Sequence, residues 1–443
     1  MKLRSRGLRA KGAALLAGTS LVAIALSGCS GGASAGGSGG GLTLSKKPVT
    51  LTFQWWGDAV RAKITRDAVS KFEKLHHNIH IQTQFADYSP YQEKLATESA
   101  GGNAPDIFQM DLPYLSTYGK RGALLDLNTL KPKLDLSSFQ TGELQDGEVG
   151  GKLYALVNAV NAPAIMVNPD LLKKAGVAMP DDTTWTWSDL VKDAAAVSKA
   201  SGGKFHGMEE WGYDEDALYY WERAHGSQVF DTSGHVKADA ASVTAFFQYV
   251  SDLQSSGATA GPSVVTEDES AGEDASMMAT GKAAFAFEYT NALSALRTDS
   301  KAPLQLLRLP TTPGSSAVPY YYNASQFWSV SSRTSHPAEA ALFLDFLANS
   351  KAAADSLAAD RGIPANPPIR TYIAPKLEAA DKDQVAFLNG LKVASAPAVP
   401  PPGATTIHAL LQKYTESVMF KRTTPSAAAD GFIKDLTTAV NNG

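Results

Sequence analysis

The chain has 443 residues, too long for one ordinary small domain, and its 44% hydrophobic and 19% charged content supplies cores and excludes wholesale disorder. The formal net charge is −4, from 40 basic and 44 acidic residues. Five of the basic residues, Lys2, Arg4, Arg6, Arg9 and Lys11, fall in the first 28 positions, so the remainder carries 35 against 44, a net −9, which argues against a nucleic-acid-binding face.

That basic, acid-free start, followed by an apolar run from Ala13 to Leu26, has the layout of a secretory signal peptide over residues 1–28. The run falls short of the ~20 residues that a membrane-crossing helix needs. Cys29, the only cysteine, comes next in Leu26-Ser27-Gly28-Cys29, so an internal disulfide is impossible and its position at the end of a leader argues against a catalytic thiol. This stretch resembles the bacterial lipobox, which implies that Cys29 is lipidated and anchors the mature chain to the outer face of the cell membrane. Residues 29–47 then form a linker rich in Gly, Ser and Ala, a flexible coil on the order of 20 Å across its densest dozen residues. No second apolar run is long enough to span a membrane.

The run Val49 to Trp55 alternates apolar and polar residues and predicts a half-buried strand stopping at Gly57, which leaves Trp55, Trp56 and Asp58 at its carboxyl end. Val60, Ile64, Ala68, Phe72 and Leu75 recur at helical spacing and predict one apolar face. A strand follows at Ile79–Phe85, a turn with Tyr88, Pro90 and Tyr91, a helix near Gln92–Ser99, a break at Gly101–Pro105, and a strand Asp106–Met110 ending at Asp111. Strand, helix, strand, helix, strand within about sixty residues is the pattern of a parallel α/β sheet, whose ligands bind at the carboxyl ends of its strands. Further on, the acidic stretch Thr266–Asp274 lacks the acid spacing of a calcium loop and predicts a solvated helix start. Ala396–Gly403, with four prolines, predicts an extended connector, and Phe432, Leu436 and Val440 a last helix from Pro425 with Ser426 as its N-cap.

The order of these segments is similar to that of family 1 extracellular solute-binding proteins, the sugar-binding lipoproteins of ABC importers. Trp55-Trp56-Gly57-Asp58, Gly101-Gly102-Asn103-Ala104-Pro105-Asp106 and Gln109-Met110-Asp111 resemble the family's amino-terminal part. Gly122–Leu127, Gly151–Leu156, Met166–Val177, Thr184–Leu190, Met277–Phe287, His336–Ala341 and Arg361–Ala365 match later family segments in the same order. The strand Leu156–Asn161 departs from the family's pattern, which often runs through a Pro and a Gly there. The resemblance implies a two-lobed α/β fold of the type II periplasmic-binding-protein kind, each lobe a mostly parallel sheet flanked by helices with the ligand cleft between them. It places one lobe at residues 48–160 plus 325–372 and the other at 161–324 plus 373–443. It also implies a monomeric receptor without cofactor that closes on a carbohydrate and delivers it to the transmembrane subunits of a permease.

The residues suit that role better than catalysis. G-x-S-x-G occurs only around Ser30, Ser34 and Ser38 in the Gly/Ser-rich linker, away from any predicted strand-to-helix turn, H-E-x-x-H is absent, Gly281-Lys282 lacks the rest of a phosphate loop, and His76, His77 and His80 read as a polar helix end rather than a metal site. A glycan-active hydrolase would use two facing carboxylates, for which Asp58 and Asp111 are the pair, and a binder of a phosphorylated polyol would need several cations. Sugars present apolar ring faces and hydroxyl edges, which call for aromatic platforms beside carboxylates, amides and guanidinium groups. Candidates for a neutral mono- or oligosaccharide are Trp55, Trp56, Asp58, Tyr88, Tyr91, Asp111, Asn161, Trp211, Tyr213, Glu288, Tyr289, Asn323, Trp328 and Arg361, with core packing the competing role for the aromatics.

Overall fold

A computed structural model describes residues 42–57, 59–271, 275–394, 396–398 and 400–442. The leader, Cys29, the linker as far as Gly41, and Asp58 lie outside the described residues.

The first strand, β1 (Val49–Trp56), pairs in parallel with β2 (Ile79–Ala86) and β3 (Ile107–Met110), joined by the helices Ala59–Leu75 and Tyr88–Ala100. A small antiparallel hairpin, β4 (Glu148–Val149) and β5 (Lys152–Leu153), precedes β6 (Ala155–Asn161), and a single residue separates β6 from β7 (Pro163–Val167). There follow β8 (His206–Met208), β9 (Ala283–Tyr289), β10 (Gln305–Leu307), β11 (Asn323–Val330) and β12 (Ile363–Pro364). One sheet has the order β12-β6-β11-β3-β1-β2 and the other β10-β7-β9-β8.

Both sheets are mixed, where mostly parallel ones were expected. In the first, β11 runs antiparallel to β3 and β6, and β12 antiparallel to β6; in the second, only β8 and β9 are parallel. The reason lies in the crossings. The chain leaves the first sheet on β6 and comes back on β11, so the returning strand enters from the end where the other left and must run antiparallel to it. Asn161 and Asn323, at the two crossings, are register partners, and the amide of Thr290 donates to the carbonyl of Ala162 at 2.9 Å.

Two local expectations shift. Helix Ala59–Leu75 buries Ala62, Thr65, Ala68, Val69 and Phe72, whereas Val60 and Leu75 are 63% and 62% exposed. Thr65 belongs to the inner stripe because its hydroxyl accepts from Arg361 Nη2 at 2.9 Å, a polar contact that an apolar count overlooks. The last helix, Pro425–Asn442, is capped by Thr424 instead of Ser426, since Thr424 Oγ1 accepts from the amide of Ala427 at 3.2 Å.

Each sheet has its own aromatic core. Phe53 meets Trp55, Trp328 and Phe343 at ring distances of 5.0, 5.4 and 5.3 Å under the first sheet. Beside the second, Trp187 meets Trp211, Trp221 and Tyr249 at 4.9, 5.2 and 5.4 Å. Because β1 is covered on both faces, Phe53 to Trp56 are all buried and the strand is not half-buried as its alternation suggested.

Candidate functional site

A cleft of about 490 Å³ opens where the chain crosses between the sheets. Its walls are the end of β6 at Asn161, the end of β9 at Tyr289, the start of β11 at Asn323–Ser325, the start of the helix Glu215–Ala224, and the connector Ala396–Ala398 with Pro400. Asp214 caps that helix, its Oδ1 accepting from the amides of Asp216 at 2.7 Å and Ala217 at 3.1 Å. The cap fixes the first turn, so that Asp216 meets three donors: the Tyr289 hydroxyl, the Tyr321 hydroxyl at 3.5 Å and Asn323 Nδ2 at 3.4 Å. Burial raises the pKa of Asp216 and takes that of Asp214 to about 7, the neighbouring Asp216 charge adding to the latter. The Tyr321 ring is braced by Tyr220, stacked at 4.6 Å with 10° between planes. Asn161 Nδ2 donates to Ser325 Oγ at 3.2 Å, while its Oδ1 is buried without a partner.

Facing these residues is Asp146, which follows the short helix Thr141–Gln145 and also lines the cleft. Burial, then the nearby Glu143 carboxylate, pushes Asp146 up to about 8. Glu143 itself is paired with Arg370 at 3.2 Å, both side chains almost wholly inaccessible.

A second cavity of about 370 Å³ shares Asp214 and Glu215 with the cleft. Glu209, Glu210, Asp268 and Glu288 line it together with Trp211 and Tyr213. Glu210 Oε1 accepts from the amides of Trp211 and Gly212, each at 3.1 Å, and burial takes its carboxyl to about 7.

The residues expected from sequence fall into four groups. Asn161, Tyr289 and Asn323 line the cleft, and Trp211, Tyr213 and Glu288 the adjoining cavity. Trp56, Tyr88 and Asp111 support one another beside the cleft residue Leu112: Trp56 and Tyr88 meet edge to face at 5.4 Å, and the Tyr88 hydroxyl donates to Asp111 Oδ2 at 2.6 Å. Asp111 Oδ1 accepts from the amide of Leu112 at 2.9 Å and caps its helix.

The remaining group sits in the interior and not on the cleft. Trp55 is wholly inaccessible and stacks on Phe85 at 6.2 Å; Tyr91 is buried with its hydroxyl donating to the Gln109 carbonyl at 2.6 Å. Trp328 packs on Phe53 and lies under the Arg361 guanidinium at 5.0 Å. Arg361 donates to Gln109 Oε1, Thr65 Oγ1 and Asp360 Oδ2 at 3.0, 2.9 and 3.0 Å, so it is a core bridge, with burial lowering its pKa to about 9. Asp58 lies outside the described residues.

Sequence reasoning does not single out Asp146, Asp214, Asp216, Tyr321 or Ser325, and it reads the proline connector as extended without placing it in the cleft wall. The sequence signal for two of them was present: Asp214-Glu215-Asp216 opens a helix, and an acid at the cap with another in the first turn is a helix-start pattern that can also aim a carboxylate outward.

Residues 52–354 match the family model described as bacterial extracellular solute-binding protein. The chain belongs to this family. A solved member, the family 1 extracellular solute-binding protein of Alicyclobacillus acidocaldarius, is 31% identical, with a TM-score of 0.76 over 89% of this chain and 99% of that one. An arabinooligosaccharide-binding protein of Bacillus subtilis is 28% identical over 53% of this chain and 52% of its own length. A lipoprotein of Streptomyces antibioticus is 27% identical over 38% of this chain and 35% of its own. The chain thus spans about a third to a half of the length of these two curated relatives. The two sheets with flanking helices are the type II arrangement of extracellular solute-binding proteins, and the cleft sits at their crossing. Among the described residues no helix is long and apolar enough to cross a membrane, and no group of three His, Cys, Asp or Glu side chains is placed to hold a metal ion.

Proposed function

We propose that this solute-binding protein is the extracytoplasmic, lipid-anchored receptor of an ABC importer, which captures a mono- or oligosaccharide between two lobes and delivers it to the permease. The observation that carries the reading is the cleft itself: Asp216, with Tyr289, Tyr321 and Asn323 converging on its carboxylate, lies beside Asn161 and Ser325 at the crossing strands. Such a set offers aromatic faces and several acceptors to a hydroxyl-rich ligand. The lobes are taken as residues 48–160 plus 325–372 and 161–324 plus 373–443, a division supported by the first sheet being left on β6 at Asn161 and rejoined on β11 at Asn323. A ligand touching both walls makes contacts that the open form lacks and so shifts the hinge toward closure. The arabinooligosaccharide-binding relative supports a sugar as that ligand.

The absence of lysine and arginine from the cleft lining among the described residues disfavours a phosphorylated polyol. A hydrolase reading is disfavoured too, because Asp111 is occupied as a helix cap and as acceptor for Tyr88. The test is thermal-shift and calorimetric screening of the mature body against mono- and oligosaccharides, since a ligand that binds the folded state raises its stability. Stoichiometric binding without product supports a receptor; turnover of the sugar would favour the hydrolase. For the anchor, Cys29→Ser should move the protein from the membrane to the soluble fraction, and continued membrane association would overturn lipidation there.

A further inference from the structure

The cleft and its neighbouring cavity are walled by carboxylates from both sides, without a lysine or arginine in the lining among the described residues. From the first-sheet side comes Asp146, only 9% exposed, whose Oδ2 has no hydrogen-bond partner although the residue lines the cleft. From the second-sheet side come Asp214, Glu215 and Asp216. Behind the last three, Glu209 and Asp268 face the adjoining cavity as a close acidic pair.

The neighbouring cations are committed elsewhere. Arg370 pairs with Glu143 at 3.2 Å and also donates to the carbonyls of Pro364 and Ala365, both at 2.9 Å. Arg223 donates to the Pro319 carbonyl at 2.9 Å and lies over the Tyr321 ring at 5.0 Å, and it is not among the residues that line the cleft. On the rim His408 reaches Glu215 at 3.2 Å and Glu269 at 3.9 Å, and Lys282 and His206 act on Asp268 from outside. What Asp216 receives is three neutral donors, which satisfy lone pairs and leave the charge in place.

Mutual repulsion and burial both oppose ionisation of these carboxyls, and a neutral sugar relieves neither. A guest ammonium relieves both, because it donates up to three hydrogen bonds and supplies the missing opposite charge. We propose that the cleft contains a subsite for a protonated amine, formed by Asp146 on one side and the Asp214–Asp216 carboxylates on the other, so that the captured sugar is an amino sugar. This deepens the sugar-receptor reading and rests on it. An ammonium suits the site better than a metal ion, since the described carboxylates form no chelating group. It also gives the unpartnered Asp146 oxygen a donor in the closed form and leaves the partly exposed Tyr289 at the cleft wall to pack on a ring face.

The test is calorimetric titration of the mature protein with four probes: glucosamine oligomers, their N-acetylated counterparts of equal length, galacturonate oligomers, and spermidine. The free-amine oligomer is expected to bind about tenfold tighter than its acetylated twin, and the preference to weaken at high salt. Asp146→Asn, checked for an unaltered cooperative melt, should erase that preference, so that the free-amine and acetylated oligomers bind within about twofold of each other. Equal or tighter binding of the acetylated or galacturonate oligomers would overturn the amine subsite while leaving a sugar receptor standing. Binding of spermidine with no sugar would support the subsite and remove the sugar reading; binding of neither amine would overturn the subsite.

Discussion

The hydroxyl of Tyr289, the last residue of β9, donates to the carboxylate of Asp216 in the first turn of the helix that follows the Asp214 cap. The bond ties a strand end of the second sheet to the helix that presents the cleft's central acid, so Asp216 is held in place before a ligand arrives. Tyr289→Phe removes that tether and leaves Asp216 with its two longer contacts. The expected result is a stability loss of about 0.5–1.5 kcal/mol, the net worth of a typical hydrogen bond, with a larger relative loss in sugar affinity. Chemical denaturation and calorimetry on the same preparation check both, and an unchanged affinity would remove Asp216 from the site.

The acidic cleft also predicts how stability depends on pH. Burial raises Glu210 and Asp214 to about 7 and Asp146 to about 8, all above the values of the unfolded chain. The folded protein therefore binds more protons than the unfolded one through this range, and the contribution is full below about pH 4 and is lost as pH rises through about 7 to 8. The lowered carboxyls of Asp181 and Asp189, each held by hydrogen bonds from a threonine, act in the opposite sense only below their ordinary 3.8. The melting temperature of the ligand-free protein should thus fall between about pH 5 and pH 8. A flat profile across that interval would contradict the burial of these groups.

Trp55 and Tyr88 were drawn from the same motif-rich stretch and should respond in opposite ways. Trp55 is wholly inaccessible, so Trp55→Ala should cost about 3–5 kcal/mol through the cavity it leaves, with little change in sugar affinity in the folded fraction. Tyr88 is 40% exposed and its hydroxyl bonds to Asp111 at the surface with Tyr114 beside it, so Tyr88→Phe should leave the melt nearly unchanged. Sugar affinity then decides whether the Trp56–Tyr88–Asp111 group touches ligand.

The contrast shows what the sequence could tell and why it stopped there. The β1-helix-β2-helix-β3 order and the ordered family segments were legible because hydrophobic period and glycine breaks are local properties. The antiparallel return of β11 was not, since it is set by an excursion of about 160 residues that takes the chain through another sheet. Strand-end position marked Trp55 and Trp56 alike, but side chains alternate along a strand and β1 is covered on both faces, which puts Trp55 in the core. Arg361 looked like a ligand's cation and is instead a bridge to Gln109, Thr65 and Asp360, partners about 250 to 300 residues away or next door. Asp146 carried no local signal at all: its unpartnered oxygen becomes visible only when two distant segments enclose it.

Glu143 links the buried ion pair to the cleft, and its removal should have two separable effects. Glu143→Gln leaves the Arg370 guanidinium buried without its counter-charge, which should cost about 3–5 kcal/mol. It also deletes the charge that adds to burial in raising Asp146, so Asp146 should titrate below about 8 while burial still holds it above its ordinary 3.8. A carboxyl-resolved titration by NMR reads the second effect and denaturation the first. Because an apolar replacement of both partners avoids an uncompensated charge, Glu143→Gln combined with Arg370→Met should regain most of the lost stability. The double variant should keep the lowered Asp146 titration, since that follows from Glu143 alone; recovery of a value near 8 would place the source of the shift elsewhere.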